Sequence, residues 1–255
     1  MIRRLDSTAC EKVWGSTNTE PWYRNPENRD IGEIWFHASD SVPLLVKLLF
    51  TSDNLSVQVH PGDDYAREHH GSRGKTEMWH ILRAEPDAKI ALGLRKSVSA
   101  AHLGRAAQSG EIMDLLNWIP ARPGDTFFVP AGTIHAIGGG LALCEVQQYS
   151  DVTYRLYDYG RPRELHLDHS LAVSNLSEHA AGVVCLPVEC AYFRTEVLSI
   201  RGSATARGTI FVALEGSGTI ASQPFAPGDA FETDTGSPPL NIVSEHARVL
   251  ITSPG

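Results

Sequence analysis

The sequence predicts an all-β protein of the jelly-roll type, made of two related β-barrels with a short helical insertion. Short runs rich in β-branched, aromatic or Leu residues recur along the chain, and Gly, Pro, Asp or Asn residues separate them, as is typical of antiparallel sheets. The order of strand, tight turn, strand and Pro-Gly-Asp occurs twice, as MWHILRAEPDAKIALGL with RPGDTFFVP and as TIFVALEGSGTI with APGDAFETD. We interpret this order as a weak internal repeat of one barrel.

The helical insertion is predicted from one segment that breaks the strand pattern. Residues Ser97–Trp118 carry Ala, Leu, Ile and Met at helical spacing without alternation, so we expect one or two short helices around residues 97–118. A second helical segment is expected at His169–Asn175. Strand patterns then resume, and we divide the chain into a first domain of residues 1–180 and a second barrel of residues 181–255.

Composition limits the classes of function. The chain has 255 residues, 42% of them hydrophobic, and a formal net charge of −8. An acidic chain with no basic run is a poor candidate for nucleic-acid binding. The four Cys residues form no C-x-x-C pair, the start of the chain lacks the apolar stretch of a secretory signal, and no run approaches the roughly 18 apolar residues of a membrane span. We expect a soluble, cytoplasmic protein with reduced thiols and no nucleic-acid or membrane partner; the sequence predicts no oligomeric state.

Three polar side chains are predicted to share the interior of the first barrel. Gln58 and His60 are two residues apart in a predicted strand, so both can point to one face. Glu77 shares a strand face with Trp79, whereas His80 points the other way and is not expected to be a ligand.

A fourth polar side chain follows from the stretch GDTFFVPAGTIH. Gly124, Pro130, Gly132 and His135 match the spacing G-x5-P-x-G-x2-H of the second cupin motif, in which the turns aim the histidine inward. The sequence departs from the cupin pattern at two places. Gly139 stands where an asparagine is usual, and the first motif begins with glutamine instead of histidine and has its glutamate late, after a loop.

Two imidazoles, one carboxylate and one amide oxygen suit one zinc ion with an open coordination position. For any single His, the alternative is a surface residue or a core residue with satisfied hydrogen bonds. We keep that interpretation for His69, His70, His102, His166, His169, His179 and His246, and we read "EHH" as a solvated loop. The second barrel lacks Pro and His after its Gly228-Asp229 pair, so no metal is expected there.

The segments LSVQVHP, GKTEMWHIL, PAGTIHAIG and QQYSDVTYRLYDYGR, with IGEIWFHAS upstream, together resemble the type I mannose-6-phosphate isomerases, in particular their short bacterial branch. The resemblance covers Trp14 to Leu176 and extends to the C-terminal barrel only in general build. His80 stands where the family often has Tyr, and the long inserted helical domain is missing. The resemblance implies a set of site residues, namely the zinc ligands Gln58, His60, Glu77 and His135, the active-site Arg155, and the substrate-binding residues Ser56, Lys75 and Lys47.

The resemblance also implies a reaction, the interconversion of mannose 6-phosphate and fructose 6-phosphate through a cis-enediol. Zinc would act as a Lewis acid on the C1 and C2 oxygens. Arg155 would stabilise developing negative charge or hold the substrate, with a surface salt bridge as the alternative. Lys75 would bind phosphate or relay a proton, with a solvated turn lysine as the alternative, and Ser56 would donate to a phosphate oxygen. The general base is left open among Lys75, a zinc-bound water and a nearby histidine.

Two further functions are compatible with a cupin pocket. An iron-dependent cupin oxygenase would prefer three histidines with a carboxylate, or a facial triad, and Gln58 with the pair of Lys75 and Arg155 argues against it. A bicupin that binds sugar phosphates without catalysis could use the same residues, although a complete ligand set with Arg155 favours an enzyme.

Overall fold

The computed structural model describes residues 2–179, 182–234 and 236–255. Its strands, in chain order, are β1 (Ile2–Arg4), β2 (Ser7–Ser16), β3 (Ile31–Phe36), β4 (Leu44–Thr51), β5 (Val57–Val59), β6 (Glu77–Ala84), β7 (Lys89–Leu94), β8 (Leu116–Pro120), β9 (Thr126–Val129), β10 (His135–Ile137), β11 (Leu141–Gln148), β12 (Tyr154–Tyr157), β13 (Val188–Glu189), β14 (Phe193–Ala206), β15 (Ile210–Gly216), β16 (Gly218–Ile220), β17 (Gln223–Phe225), β18 (Ala230–Thr233) and β19 (Leu240–Pro254). The helices are α1 (Asp63–His70), α2 (Ala100–Ser109), α3 (Ile112–Leu115) and α4 (Leu167–Val173). None of the helices in these ranges is long and apolar enough to cross a membrane.

The strands pair into three antiparallel sheets. The central sheet has the order β2-β3-β4-β11-β6-β9, and the helix-side sheet has the order β12-β5-β10-β7-β8. The C-terminal sheet has the order β1-β18-β15-β19-β14-β13, with β16 and β17 attached to β19. The predicted mostly β class is confirmed. In the described part of the chain, however, no sheet closes on itself, so the closed barrels of the prediction are not formed.

The space between the central sheet and the helix-side sheet, here called the first interior, is largely apolar. Trp79, Phe127 and Leu143 of the central sheet pack with Ile90 and Leu92 of the helix-side sheet, and all five side chains are buried. Burial of such side chains is the main force that holds the two sheets together. At one end of this interior the apolar side chains give way to polar ones, which form the site described below.

Helices cover the outer face of the helix-side sheet. Leu103 and Ala106 of α2 pack in one cluster with Val57 and Ala91 of the sheet. Helix α2 begins after Ser99, whose Oγ accepts a hydrogen bond from a backbone N–H of the first turn at 3.2 Å. The predicted helical insertion thus has a definite role, because it buries the face of the sheet opposite the first interior.

The outer face of the central sheet packs against the C-terminal sheet. Leu48 and Cys144 lie in one buried cluster with Val212 and Leu250. Strand β1 pairs with β18 through Ile2 and its neighbours, so the start of the chain contributes an edge to the C-terminal sheet. The division of the chain near residue 180 stays a prediction.

The predicted helices lie where they were expected in the chain, but their first and last residues differ from the prediction. Helices α2 and α3 fall within residues 97–118, but Leu116–Pro120 forms a strand that pairs with β7. The expected segment at His169–Asn175 corresponds to α4, which begins two residues earlier.

The stretch "EHH" is solvated as expected, but the expectation of a loop is wrong, because this stretch ends helix α1. Helix α1 has acidic residues in its first turn and basic residues in its last turn, which suits the helix dipole, and Gly71 ends it in the left-handed conformation with φ 61°. Its single buried residue, Ala66, explains why the apolar pattern gave no signal.

Candidate active site

Three of the predicted metal ligands form a compact buried cluster. The candidate ligand atoms of His60, Glu77 and His135 all lie within 4.8 Å of one another. His60 Nε2 is 3.6 Å from Glu77 Oε2, and His135 Nε2 is 3.5 Å from Glu77 Oε1. Residues separated by up to 75 positions in the chain therefore meet at one point, as the strand faces and the cupin spacing predicted.

Strand pairing explains how these side chains meet. His135 in β10 lies directly opposite Gln58 in β5, so both side chains leave the helix-side sheet on one face, and Glu77 approaches from the central sheet. Gly132 turns the chain towards β10 with φ 85°, and its N–H donates to the carbonyl of His60 at 2.8 Å. A Cβ at Gly132 would be strained by this φ and would also lie 3.0 Å from a backbone oxygen, which accounts for the glycine of the motif.

Backbone carbonyls fix the tautomers of both histidines. His60 Nδ1 lies 2.9 Å from the carbonyl oxygen of Val152, and His135 Nδ1 lies 2.8 Å from that of Thr133. A carbonyl can only accept, so each Nδ1 carries the proton and each Nε2 directs its lone pair towards Glu77. Burial lowers the pKa of His60 well below its usual value and that of His135 to about 3, so both imidazoles are neutral, as a metal ligand requires.

The Glu77 carboxylate lacks the partners that its burial requires. Its side chain is fully buried, and Oε1 makes no hydrogen bond with any of the described residues. Burial raises the pKa of Glu77 to about 7, against the opposing effect of Lys75. An orphaned carboxylate oxygen beside two neutral imidazoles fits a divalent metal ion, which would satisfy all three groups.

Lys75 lies against this cluster. Its Nζ is 2.5 Å from Glu77 Oε2 and 3.0 Å from His60 Nε2, and the side chain is buried. Burial alone would lower the pKa of Lys75. The nearby carboxylates of Glu77 and Glu145 outweigh this effect, so the pKa is raised above its usual value. Lys75 is therefore an ammonium ion, and the interpretation as a solvated turn lysine is excluded.

Gln58 is close to the cluster with its amide nitrogen inward. Its Nε2 is 3.3 Å from His135 Nε2, and its Oε1 accepts a hydrogen bond from Ser56 Oγ at 3.1 Å. A half-turn of the amide about its last bond would present the oxygen to a metal instead. Gln58 therefore lies beside the cluster, with its amide in the orientation opposite to the one that a metal ligand needs, and its role as a ligand stays a prediction.

A polar cavity of about 350 Å³ opens beside the cluster. Among the residues that line it are Ser56, Gln58, Lys75, Glu77, Lys47 and Arg155, which together include all the predicted substrate-binding residues. Lys47 is buried, with its Nζ 3.5 Å from Glu145 Oε1 and 3.8 Å from Glu33 Oε1. It also lies 4.3 Å from the centre of the Trp35 ring, an arrangement that holds its charge at the wall of the cavity.

Arg155 enters the cavity from the helix-side sheet. It pairs with Gln58 across β12 and β5, which puts both side chains in one row. Its Nε donates to the carbonyl of Glu164 at 2.9 Å, while Nη1 and Nη2 make no hydrogen bond with the part of the chain that the structure describes. Two donors of a permanent cation therefore stay available at the cavity wall.

Comparison with known proteins identifies the group to which this chain belongs. No family model matches it. Mannose-6-phosphate isomerase ManA of Bacillus subtilis is 37% identical over 233 residues, which cover 78% of this chain and 74% of that protein. The chain belongs to the mannose-6-phosphate isomerase family.

Further relatives agree with this assignment. Mannose-6-phosphate isomerase of Streptococcus mutans is 43% identical over 155 residues, and the chain spans about half, 49%, of that relative. The crystal structure of mannose 6-phosphate isomerase from Bacillus subtilis superposes with a TM-score of 0.86 at 28% identity and covers 98% of both chains. A phosphomannose isomerase variant from Salmonella typhimurium shares the fold, with a TM-score of 0.77 at 17% identity. The family and the enzyme class predicted from the sequence are thereby confirmed, while the role of each site residue stays a prediction.

Several side chains of the mannose-6-phosphate isomerase cavity were not predicted to lie there. Glu145, Asp151, Arg163 and His166 are among them. Glu145 could have been found, because a carboxylate within the apolar strand LALCEVQQ is unusual unless it is paired. The other three lie outside regular strands, where spacing carries no information about direction, and His166 had been assigned to the surface or to the core.

Proposed function

We propose that this chain is a zinc-dependent isomerase that interconverts mannose 6-phosphate and fructose 6-phosphate through a cis-enediol. One observation supports the proposal most strongly. The cluster of His60, Glu77 and His135 lies at the wall of a cavity whose lining also includes cations, among them Lys75 and Arg155. A sugar phosphate needs cationic partners for its phosphate, and isomerisation needs stabilisation of charge on two neighbouring oxygens.

The zinc ion would be held by His60, Glu77 and His135, with the Gln58 oxygen as a fourth ligand after the amide turn. Bound there, it would supply Lewis-acid polarisation of the substrate oxygens at C1 and C2. The carbonyl oxygens behind both imidazoles would keep the ligands in place without further rearrangement.

The cations of the cavity would bind and orient the substrate. Arg155 has two unengaged nitrogens, and once the Gln58 amide has turned, the Ser56 hydroxyl that now donates to Gln58 Oε1 can donate to a phosphate oxygen. Because Lys75 Nζ already contacts Glu77 and His60 at the wall of the cavity, we assign it to proton donation and charge stabilisation at the developing oxyanion.

Asp151 is our candidate for the general base. Its carboxylate lines the cavity and makes no hydrogen bond or ion pair with the described residues. Glu145, the other carboxylate missed from the sequence, is held by Lys47 and by Trp79 Nε1 at 3.0 Å and is less free to accept a proton. A proton would then move from C2 to Asp151 and return at C1.

The finer features of the fold belong to the same proposal. We assign residues 1–180 to a catalytic cupin unit and residues 181–255 to a second cupin-like unit without metal, on the basis of the repeated strand order. Cytoplasmic location is proposed from composition.

A coupled assay for fructose 6-phosphate, run from mannose 6-phosphate with and without chelator, tests the function. We expect turnover that the chelator abolishes, and solvent deuterium at C1 when the reaction is run in heavy water. Tight binding without turnover would favour the non-catalytic bicupin, and oxygen consumption would favour the oxygenase. Turnover with no deuterium in the product after many reversible cycles would contradict the enediol and the role of Asp151.

A further inference from the structure

A second cleft adjoins the candidate active site. It has a volume of about 480 Å³ and is lined by rings and small polar groups, among them His70, Tyr154 and His169. Tyr154 and His169 stack at 4.8 Å, and His70 Nε2 lies 2.6 Å from the Tyr154 hydroxyl. The His70, Tyr154 and His169 side chains of the cleft therefore contact one another.

One imidazole belongs to both cavities. Asp151, Thr153 and His166 line the second cleft and the cavity beside the metal cluster. They therefore form the partition between the two spaces. Of the three, His166 carries the N–H donor whose direction can be worked out from its contacts.

The tautomer of His166 follows from its bonds to Arg155. The backbone N–H of Arg155 lies 3.1 Å from His166 Nδ1, and the backbone N–H of His166 donates to the Arg155 carbonyl at 2.8 Å. A backbone N–H can only donate, so Nδ1 is the acceptor and the proton of the neutral ring is on Nε2. This tautomer is the reverse of that in His60 and His135.

The Nε2–H of His166 makes no hydrogen bond with the residues that the structure describes. Burial, with Arg155 as the next contribution, lowers the pKa of this imidazole, so the neutral form dominates at pH 7. Arg163 also lines the cavity, but it is a charged donor, and its Nε and Nη2 each lie 2.6 Å from an Asp158 oxygen.

We propose that His166 is a further substrate-binding residue, which donates from Nε2–H to an oxygen of the sugar phosphate that Arg155 holds. The proposal rests on the proposed function for the identity of the ligand. A neutral N–H donor beside the Arg155 guanidinium would orient a substrate oxygen without adding charge to the cavity. The positions of His166 and Arg155 depend on each other, because the Arg155 backbone hydrogen-bonds the His166 ring.

Two substitutions of His166 distinguish substrate binding by Nε2–H from support of the Arg155 backbone by Nδ1. In His166→Asn, the amide oxygen can take the place of Nδ1 and accept from the Arg155 N–H, but no donor reaches the position of Nε2. In His166→Gln, the amide nitrogen can reach the position of Nε2, and the acceptor for Arg155 is lost. A purely structural His166 would tolerate Asn better than Gln, whereas a substrate donor would tolerate Gln better than Asn.

The dissociation constant of mannose 6-phosphate, measured by calorimetry on the full chain, is the readout. We expect His166→Asn to weaken binding about ten- to a hundredfold with an unchanged melting temperature, and His166→Gln to bind within about threefold of wild type. Wild-type affinity in His166→Asn, or equal losses in both variants, would overturn the proposal. The same titration with inorganic phosphate assigns the acceptor, because an equal loss there means a phosphate oxygen and no loss means a sugar oxygen.

The nitrogen NMR signals of His166 in the wild-type protein give a test that does not depend on folding of the variants. Saturation with mannose 6-phosphate should shift the Nε2 signal while Nδ1 stays unprotonated; an unmoved Nε2 signal would overturn the proposal. Wild-type binding without turnover would refute the proposed isomerase but leave these comparisons of affinity valid. Absence of wild-type binding would refute both.

Discussion

The first interior and the apolar cluster of the C-terminal sheet are both packed between antiparallel strands, but only the first interior ends in a polar site. In the C-terminal sheet, Phe211, Phe231, Ile242 and Val249 are fully buried in one apolar cluster. In the first interior, the corresponding apolar packing stops at Trp79, and ionisable groups follow it. Ion pairs among the buried lysines and glutamates offset part of the cost of burying charge in this scaffold.

The cost of burying charge explains why the polar end is so densely connected. Lys47 is held between Glu33 and Glu145, and Lys75 contacts Glu77. Removal of one partner would leave the other charge buried and unpaired, which is costlier than removal of both. The apolar cluster of the C-terminal sheet contains no charged side chain, so this requirement does not apply to it, and its packing contributes to stability.

The largest effect is expected from the metal ligands. The double substitution His60→Ala, His135→Ala should remove metal and lower turnover by at least about a thousandfold, because metal stabilisation of developing charge is worth several kcal/mol. The exposed His246 of the C-terminal sheet offers the matched control, His246→Ala, which should keep both. Metal analysis by mass spectrometry, together with the coupled assay, measures both quantities; retained metal in the double variant would mean that the cluster is not the metal site.

Arg155→Ala should have the next largest effect. The variant should fold and retain metal, yet lose roughly a hundred- to a thousandfold in turnover, as is typical when a donor to developing charge is removed. Arg155→Lys should recover little of this, because an ammonium group cannot reproduce two parallel donors. Steady-state kinetics with a metal assay on the same samples checks this. Normal turnover in Arg155→Ala would contradict a role in catalysis and favour the alternative interpretation of Arg155 as a surface salt-bridge residue.

The parts of this site that could be predicted are those with local periodicity. Alternation within strands placed Gln58 and Glu77, and the spacing of glycines and proline placed His135. The pairing of β1 with β18, helix α1 and the position of His166 depend on contacts between distant segments, which a single sequence does not encode in its local pattern. The closed barrels were expected for the same reason, since strand patterns do not show which edges stay unpaired.

A smaller effect is expected where the two regions meet, at His80. Its Nε2 accepts from Arg248 of the C-terminal sheet at 3.0 Å, and Nδ1 lies 2.9 Å from Thr126 Oγ1. Burial, then the charge of Arg248, lowers the pKa of His80 from 6.5 to about 4. The folded pKa lies below the unfolded one, so its contribution is complete above about pH 6.5 and is lost as the pH falls towards 4.

Unfolding by urea at several pH values tests this contribution. From pH 7.5 to pH 5, wild type should lose about 2 kcal/mol more than His80→Gln, whose amide can still accept from Arg248 but does not titrate. Both proteins keep the histidines of the metal cluster, so the difference isolates His80. Parallel pH profiles for the two proteins would show that this contact does not link the regions as described.

The smallest effect is expected in the apolar interior. Ile251→Val in the C-terminal sheet should cost about 1 kcal/mol of unfolding free energy through the loss of one buried methyl group. Turnover and metal content should be unchanged, since none of the described residues of the C-terminal sheet lines the cavity. Denaturant unfolding and the coupled assay on one preparation measure both, and a fall in turnover without a fall in stability would contradict the separation of roles.

The central claim is that turnover depends on one metal ion held by His60, Glu77 and His135. The most direct test is a titration in which chelated protein, confirmed to be metal-free by mass spectrometry, receives zinc in steps while fructose 6-phosphate formation is followed. Turnover should rise from near zero and reach a plateau at about one zinc per chain. Full turnover in the metal-free protein, or a plateau near two zinc ions per chain, would contradict the account.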